Sequence, residues 1–243
     1  MTDTPAASAS AYAGHDLEVL SGMTHYYAWI MDRFAPFARG AMVEYGAGNG
    51  NISARLRPLA LRLDLVEPSP RLVPLLRARF HGDAAVAVHE MNLETHVATA
   101  AANAYDGAVL VNVLEHIADD AQALRELFRI LKPGGTLLLF VPALPFLFSR
   151  LDSFYGHFRR YRRDPLAGLA ADAGFEVRDA RYLDLLGVVP WWLLNTLGGA
   201  VTFNPALVRL YDRLGVPLTR AIERLFATPP FGKNVLLIAR KKI

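Results

Sequence analysis

The fold is decided by one stretch, residues 43–51, which reads Val43-Glu44-Tyr45-Gly46-Ala47-Gly48-Asn49-Gly50-Asn51. An apolar run that leads into a glycine-rich turn is typical of the first strand of an open α/β sheet. Glycine lets the backbone of such a turn pass close to a ligand, and the helix that follows offers unpaired N–H groups. The stretch therefore predicts a site for a nucleotide-like ligand, and a tight turn without a ligand is the alternative.

Further apolar runs alternate with helical segments along the chain. Ser69 with Pro70, and Asp119 with Asp120, are typical of helix starts. Seven runs are expected to be strands: residues 41–45, 61–67, 84–89, 107–113, 136–142, 175–182 and 234–240. This alternation predicts a doubly wound, Rossmann-like α/β fold whose sheet is covered by helices on both faces.

The 243 residues are expected to form one elaborated domain rather than two independent ones. Residues 1–14 are small and polar, which predicts a flexible tail, and helical periodicity begins at residue 15 and continues to residue 37. We assign residues 15–182 and 233–243 to the ligand-binding domain. Residues 183–232 are assigned to a helical cap inserted before the last strand.

The composition excludes several classes of protein. Hydrophobic residues make up 53% of the chain and charged residues 20%, which suits a sizeable buried core. The absence of cysteine excludes disulfide frameworks, cysteine-ligated metal sites and cysteine nucleophiles. Because no Lys or Arg occurs before Arg33, a secretory signal is not expected and a cytoplasmic protein is. The net charge of +3 is too small to indicate nucleic-acid binding by itself.

A second acidic residue strengthens the prediction of a nucleotide-like ligand. Glu67 stands at the end of the second expected strand, roughly twenty residues beyond the glycine loop, where a carboxylate can accept hydrogen bonds from a ribose. Asn51 occupies the position where a nicotinamide or flavin fingerprint has its third glycine. This difference argues against a dehydrogenase.

The ordered motifs resemble those of class I S-adenosylmethionine-dependent methyltransferases over about residues 42–181. The Leu-Glu-His-Ile run at residues 114–117 resembles the ubiquinone-biosynthesis type. Asp152 and the run Gly156-His157-Phe158-Arg159-Arg160-Tyr161 resemble a bacterial subset often found near glycosyltransferase and secondary-metabolite genes. The motifs that carry the resemblance are Glu44 to Gly50, Glu67, Asn92-Leu93, Asn112-Val113-Leu114-Glu115-His116 and Leu131-Lys132-Pro133-Gly134-Gly135. The resemblance implies a seven-stranded sheet whose last strand is antiparallel.

The resemblance also implies S-adenosyl-L-methionine as the cofactor and S-adenosyl-L-homocysteine as the product. It places Glu44 and the loop beneath the methionine part, Glu67 at the ribose, and Asn92 with Leu93 at the adenine. The residues expected to contact the cofactor are Tyr27, Glu44, Gly46, Ala47, Gly48, Glu67, Pro68, Asn92, Leu93, Asn112 and Val113. No metal ion is part of this predicted site.

Two histidines are the candidate catalytic residues. Methyl transfer from a sulfonium is an in-line displacement, so most of the acceleration is expected from positioning the acceptor in a dry pocket. His116 follows the fourth strand and His157 follows the fifth, and an imidazole can take the proton of a hydroxyl or ammonium acceptor near neutral pH. The alternatives are that His116 caps a helix and that His157 lies on a surface loop.

The acceptor is expected to be a small, partly apolar molecule of secondary-metabolite, sugar or lipid type, methylated at O or N. Arg160, Tyr161, Trp191 and Trp192 are the residues predicted to bind it, with the cap as the cover of the pocket. The alternatives for the cap are a homodimer face and a peripheral membrane contact.

Two other functions compete with this interpretation. The arginine-rich run at residues 159–163 would suit an RNA methyltransferase. Nucleic acid is disfavoured as a partner, because no Asn-Pro-Pro-Tyr run follows the fourth strand. A non-catalytic module that only binds the cofactor would need a damaged cofactor site, yet the glycines and Glu67 are intact.

Overall fold

The computed structural model of the chain describes residues 16–243, and the predicted tail at residues 1–14 lies outside the described residues. The described part forms a seven-stranded sheet. Its strands are β1 (Gly40–Tyr45), β2 (Ala60–Val66), β3 (Val86–His89), β4 (Tyr105–Val111), β5 (Leu131–Pro142), β6 (Phe175–Leu183) and β7 (Asn234–Lys241). The helices are α1 (Asp16–Ser21), α2 (Thr24–Phe34), α3 (Ser53–Leu56), α4 (Val73–Arg79), α5 (Leu93–Thr99), α6 (Asp120–Ile130), α7 (Arg150–Phe154), α8 (Arg163–Asp172), α9 (Val188–Trp191), α10 (Pro205–Leu210) and α11 (Val216–Glu223).

The strand order is β3-β2-β1-β4-β5-β7-β6. Strand β7 is antiparallel to both of its neighbours, whereas the other pairings are parallel. The chain therefore proceeds from β1 toward one edge of the sheet, through β2 and β3, and from β4 toward the other edge. The strand order reverses between β1 and β4. In open α/β sheets, a reversal of this kind opens a crevice at the carboxyl ends of the strands. The predicted doubly wound fold with an antiparallel last strand is confirmed.

A core lies on each face of the sheet, because successive residues of a strand point to opposite sides. On β4, Ala108 and Leu110 belong to one core and Val109 to the other. The first core includes residues of α5, α6 and α8, and the second includes residues of α2 and α3. The sheet is therefore buried on both faces, as the continuous apolar runs predicted.

The helix boundaries agree with the sequence pattern at α6 and differ from it in two other places. The periodic stretch at residues 15–37 divides into α1, α2 and a 3-10 turn at Ala35–Phe37, with Gly22 between the first two. Asp119 caps α6 as predicted, since its side chain accepts a hydrogen bond from the Gln122 N–H at 2.8 Å. The helix predicted to begin at Pro70, with Ser69 as its cap, begins instead at Val73. The reason is local, because the Ser69 N–H donates to the Glu67 carboxylate and residues 70–72 form a turn.

The segment between β6 and β7 is helical. Helix α9 continues into a π-helical turn at Trp192–Leu197, and α10 continues through a second one at Tyr211–Gly215 into α11. Among residues 16–243, no helix is both long enough and apolar enough to cross a bilayer. That this segment covers the site stays a prediction.

Candidate active site

The glycine loop lies at the carboxyl end of β1 and has little room for side chains. Gly46, Gly48 and Gly50 have φ values of 66°, 58° and 83°, in the left-handed region that glycine adopts without strain. A Cβ atom on Gly46 would lie 2.5 Å from Cγ2 of Val113, which follows β4. The loop of β1 and the end of β4 are therefore in direct contact, at the point where the strand order reverses.

Glu67 joins this loop to the end of β2. One oxygen of its carboxylate accepts from the Gly48 N–H at 2.8 Å, and the other accepts from the Ser69 N–H at 2.9 Å. Glu67 is buried, and the loss of hydration raises its pKa although both N–H groups lower it. A carboxylate has lone pairs for further donors, so Glu67 can also accept from ribose hydroxyls. Pro68 beside it is exposed, and Ala47 is buried.

Glu44, the penultimate residue of β1, is a buried carboxyl group that is only partly satisfied. Its Oε2 atom has no hydrogen-bond partner among the described residues. Burial raises the pKa of Glu44 to about 8, and the neighbouring Glu67 contributes in the same direction. An unpaired buried carboxyl group is costly unless it meets a donor, and a cationic ligand group would supply one. These features together fit a ligand that carries an ammonium group and a ribose. The unpaired oxygen of Glu44 suits the ammonium group, Glu67 suits the ribose, and the close-packed Gly46 lets the backbone approach the ligand.

The remaining predicted cofactor residues surround the same edge of the sheet. The Asn92 side chain caps α5 by accepting from the Thr95 N–H at 2.9 Å, and Leu93 beside it is buried. Asn112 follows β4 with a φ of 53°, and its N–H donates to the Phe140 carbonyl at 2.8 Å.

The two tyrosines of α2 have different surroundings. Tyr27 shares a side-chain hydrogen bond with Asn51, at the end of the glycine loop. Tyr26 points into the protein instead, and its hydroxyl donates to Asn234 Oδ1 at 2.8 Å. The choice of Tyr27 as the cofactor residue is therefore consistent with the geometry and stays a prediction.

The two candidate catalytic histidines lie side by side beyond β4. The rings of His116 and His157 are edge to face, with centroids 4.6 Å apart. His116 is an exposed residue. The loss of hydration around its ring and the nearby His157 nevertheless lower its pKa to about 4. His116 is therefore neutral at pH 7 and is a weaker base than the sequence suggested. His157 is held differently, because its Nδ1 lies 2.8 Å from Oδ1 of Asp152.

Glu115 is the functional candidate that the sequence analysis did not assign. The residue is fully buried in the 3-10 turn Leu114–His116, and neither carboxylate oxygen has a partner in any other described residue. Burial raises the pKa of Glu115 to about 8, although its own backbone N–H and the positive charge of Arg160 oppose this rise. Glu115, His116 and His157 bring one potential metal-ligand atom each to within 4.8 Å of one another.

Asp152 organises the loop that carries His157. It accepts hydrogen bonds from the N–H and Oγ of Ser149, both at 2.8 Å, and from Nε of Arg160 at 2.9 Å. Burial opposes ionisation of Asp152, but His157, Arg160 and Ser149 outweigh it and lower the pKa. The Arg160 side chain is only 1% exposed and also donates to the Ala143 carbonyl. Arg160 is thus committed to the loop, and its contact with an acceptor stays a prediction.

The other predicted acceptor residues are placed unevenly. Tyr161 is buried, and its hydroxyl donates to Asp120 Oδ2 at 2.9 Å. The Trp191 ring lies 4.5 Å from the Arg160 guanidinium, and its Nε1 donates to the Leu147 carbonyl at 3.1 Å. Trp192 is 41% exposed. The structure therefore brings Trp191 to the loop of the candidate site and leaves Trp192 open to solvent.

One cavity is unrelated to these residues. It has a volume of about 900 Å³ and lies at the amino ends of the strands, where Gly40, Asp106, Gly134 and Arg240 line it. The glycine loop lies at the opposite edge of the sheet, so this cavity is not the candidate active site.

Comparison with known proteins gives a consistent picture at the level of the family. Residues 19–180 match a family model described as a methyltransferase domain. An uncharacterised methyltransferase of Mycobacterium tuberculosis is 32% identical over 118 residues, which are 48% of this chain and 45% of that protein. A ubiquinone biosynthesis O-methyltransferase of Xanthomonas oryzae is 29% identical over 104 residues, 42% of this chain and 43% of that protein. The chain thus spans less than half of the length of these relatives.

A longer match and two solved structures extend the comparison. A protein of Mycolicibacterium smegmatis, described as a probable S-adenosylmethionine-dependent methyltransferase, is 32% identical over 206 residues, 80% of this chain and 68% of that protein. The protein crystallised with the Trm112 methyltransferase activator of Haloferax volcanii has a TM-score of 0.66 at 17% identity, covering 96% of each chain. A phosphoethanolamine N-methyltransferase of Haemonchus contortus, in complex with S-adenosylhomocysteine, has a TM-score of 0.62 at 15% identity, covering 94% of this chain and 58% of that one. These structural likenesses concern the fold.

Proposed function

The chain belongs to the family of S-adenosylmethionine-dependent methyltransferases, and on that basis we propose that it methylates an oxygen or nitrogen atom of a small, partly apolar acceptor. One observation carries the proposal. The contact between Gly46 and Val113 joins two halves of the candidate site. We name the part around Glu44 and Glu67 the cofactor half, and the part beyond β4, with His116 and His157, the acceptor half. A methyl donor and an acceptor held in these halves would meet at the crevice between β1 and β4.

The cofactor half supplies the groups that S-adenosylmethionine needs. When bound, this cofactor supplies a methyl group on a positively charged sulfur. Glu44 would accept from the ammonium group of the methionine part, and Glu67 from the ribose hydroxyls. Asn92 and Leu93 would border the adenine. The product S-adenosylhomocysteine retains the ammonium and the ribose, so it is expected to bind through the same residues.

The acceptor half would control the proton of the acceptor. As the acceptor lone pair forms its bond to the methyl carbon, the carbon–sulfur bond breaks and its electron pair stays on sulfur. The acceptor proton must then leave, and the side chains available beyond β4 are His116 and His157. His157 is the better candidate base, because its contact with the Asp152 carboxylate fixes the orientation of its ring.

The arginine-rich run supports a small acceptor over RNA. Arg160 is buried against Asp152, Arg159 lies 2.7 Å from Asp120 Oδ2, and Arg163 lies 2.6 Å from Asp164 Oδ1. Three of the four arginines of the run are thus paired with carboxylates, and the exposed Arg162 alone offers little attraction for a phosphate backbone. The RNA alternative predicts a steep salt dependence of acceptor binding, which a small, partly apolar acceptor would not show.

The last cap helices support a contact with a membrane surface. Five leucines of residues 205–225 are between 49% and 82% exposed: Leu207, Leu210, Leu214 and Leu218, which recur every three or four residues along the cap helices, and Leu225 just after α11. We name them the leucine stripe. The buried residues of this segment are the apolar Val216 and three polar residues, Asp212, Thr219 and Glu223. An apolar face that is turned to water needs a partner.

Charge favours an anionic lipid surface as that partner. The exposed charged residues of this segment are Arg209, Arg213 and Arg224, whereas its acidic residues Asp212 and Glu223 are buried. Anionic lipids attract arginines next to an apolar face, whereas a symmetric homodimer would bring like charges together. We therefore propose that the chain binds peripherally to membranes, which would suit a lipid-like acceptor.

The proposed reaction is tested by transfer from labelled cofactor. Purified protein is incubated with methyl-labelled S-adenosylmethionine and fractionated metabolite extracts, both aqueous and lipid. The proposal expects one labelled, partly apolar product whose mass exceeds that of its precursor by one methyl group. Label found only in RNA, or no labelled product in any fraction despite cofactor binding, would contradict it.

A further inference from the structure

Beyond β4, two segments that are distant in the sequence are joined at three potential metal ligands. Glu115 and His116 belong to the turn after β4, and His157 belongs to the loop after α7. The backbone N–H of Phe158 donates to the Glu115 carbonyl at 2.8 Å, which fixes one segment against the other. One ligand atom of each of the three residues lies within 4.8 Å of the other two.

The Glu115 carboxylate points to a cationic ligand. The residue has no exposed surface, and neither of its oxygens has a hydrogen-bond partner in any other residue among residues 16–243, so its own backbone N–H is the one nearby donor. A carboxyl group buried away from water and from donors of other residues is kept from ionising, and a cation beside its oxygens would stabilise the ionised form. A metal ion between Glu115 and the two imidazoles would satisfy these oxygens.

Both imidazoles are held by partners outside the cluster. The Nδ1 atom of His157 lies 2.8 Å from the Asp152 carboxylate, which leaves Nε2 available as a ligand. The ring of His116 hydrogen-bonds to the backbone carbonyl of Tyr155 and so has a second nitrogen available. A histidine that ligates a metal usually donates its other N–H to a carboxylate or carbonyl, which orients the ring. The cluster already has these outer contacts.

From this arrangement we propose that Glu115, His116 and His157 bind a divalent transition-metal ion. Two nitrogen ligands and one carboxylate suit Zn²⁺, Co²⁺ or Fe²⁺ better than Mg²⁺ or Ca²⁺, which prefer oxygen. The nearby charged groups are Asp152 and Arg160, which are paired with each other, so the Glu115 carboxylate is left to attract the ion.

The metal site would also indicate which acceptor atom is methylated, and this inference rests on the proposed function. Three protein ligands leave a coordination position open. An acceptor hydroxyl bound there would lose its proton to solvent at the metal, because the ion lowers its pKa. The histidines would then hold the ion rather than act as bases, and the acceptor atom would be oxygen.

The test uses cobalt as the probe. The full chain is treated with a chelator, dialysed and titrated with Co²⁺, while ligand-field absorption and calorimetry report binding. We expect one equivalent of Co²⁺, displaced by one equivalent of Zn²⁺. Glu115→Gln and His157→Ala should each weaken Co²⁺ binding by about 100-fold or more. His81→Ala removes an exposed histidine outside the cluster and should change nothing.

Two results would overturn the metal site. A wild-type chain that does not take up one equivalent of Co²⁺ contradicts it without any variant, and so does unchanged Co²⁺ affinity in both cluster variants. S-adenosylhomocysteine binding, measured on every sample, shows that each variant is folded. A metal-free chain that binds this product and still transfers methyl groups would overturn the role of the metal at the acceptor and leave the proposed function intact.

Discussion

At the end of β1, Glu44 keeps an unpaired carboxylate oxygen inside the protein, and burial raises its pKa to about 8. Its folded pKa lies above the unfolded value, so this group's contribution to the free energy of unfolding is lost as pH rises from about 4.5 to about 8. A bound ammonium group would favour the ionised form instead. The same residue therefore weakens the unliganded protein and strengthens the complex at higher pH.

The affinity for S-adenosylhomocysteine is accordingly expected to rise by about tenfold between pH 6 and pH 8. Titration calorimetry at several pH values measures it, and the heat should depend on the buffer because Glu44 releases a proton. Glu44→Gln is the matched control, since it keeps the shape of the side chain and cannot ionise. If the wild type shows the same flat profile as Glu44→Gln, the carboxylate does not contact the cofactor.

The two histidines are expected to differ in their effect on turnover. His157→Ala should lower kcat by about 100-fold or more, because the imidazole fixed by Asp152 is lost, while the affinity for S-adenosylhomocysteine stays constant. His116→Ala should have a smaller effect if the residue is only a weak base. Equal, near-native kcat values for both variants would mean that positioning alone accelerates the reaction.

Chelation separates the two roles that the histidines could have. A wild-type enzyme that stays active without metal uses His157 as a base. An enzyme that loses turnover with the chelator and regains it with Co²⁺ uses both histidines as ligands, and His116→Ala should then be as damaging as His157→Ala.

At the scale of one element, the leucine stripe should govern membrane binding. The Leu214→Gln/Leu218→Gln double variant is expected to weaken binding to anionic phospholipid vesicles by at least about tenfold, since each buried leucine contributes about 1.5–3 kcal/mol. Co-sedimentation with vesicles measures this binding, and salt should weaken it through Arg209 and Arg213. The control is Leu61→Gln, which removes a leucine on β2 that is even more exposed than Leu214 and Leu218.

One outcome would contradict the role of charge in the membrane contact, and another would contradict the contact itself. If the wild type bound neutral and anionic vesicles equally well, the arginines would not contribute to membrane binding. A chain that ignores vesicles but elutes as a dimer, and becomes a monomer in the double variant, would assign the leucine stripe to a homodimer interface.

Strands were predicted better than helix starts, for a physical reason. A buried parallel strand is apolar along its whole length, so β1 begins within one residue of the predicted run and ends with it. The start of α4 is affected by a side-chain contact just before it, because the Glu67 carboxylate accepts from the N–H of Ser69, two residues later. Local helix-start signals at Ser69 and Pro70 cannot reveal that contact.

The two halves of the site differ in the same way. The cofactor half is encoded by short local motifs, and the structure places Gly46, Glu67 and Val113 at one edge of the sheet. The cluster in the acceptor half depends on a loop some 40 residues after Glu115 that folds back against it. The Glu-His pair after β4 was visible in the sequence, but its contact with His157 was not.

At the scale of the whole molecule, the reversal of strand order between β1 and β4 sets the position of the site. The carboxyl ends of these strands carry Glu44 on one side and Asn112 to His116 on the other. The central claim is that this crevice binds S-adenosylmethionine. A ligand that binds only the folded state should raise its stability by about 2.7 kcal/mol at a hundredfold excess over Kd.

The most direct test is a calorimetric titration of the full chain with S-adenosylhomocysteine, paired with thermal unfolding in the presence of the same ligand. The account predicts one binding site per chain and a Tm that rises with ligand concentration. The absence of both binding heat and a Tm shift at millimolar S-adenosylhomocysteine and S-adenosylmethionine would contradict it.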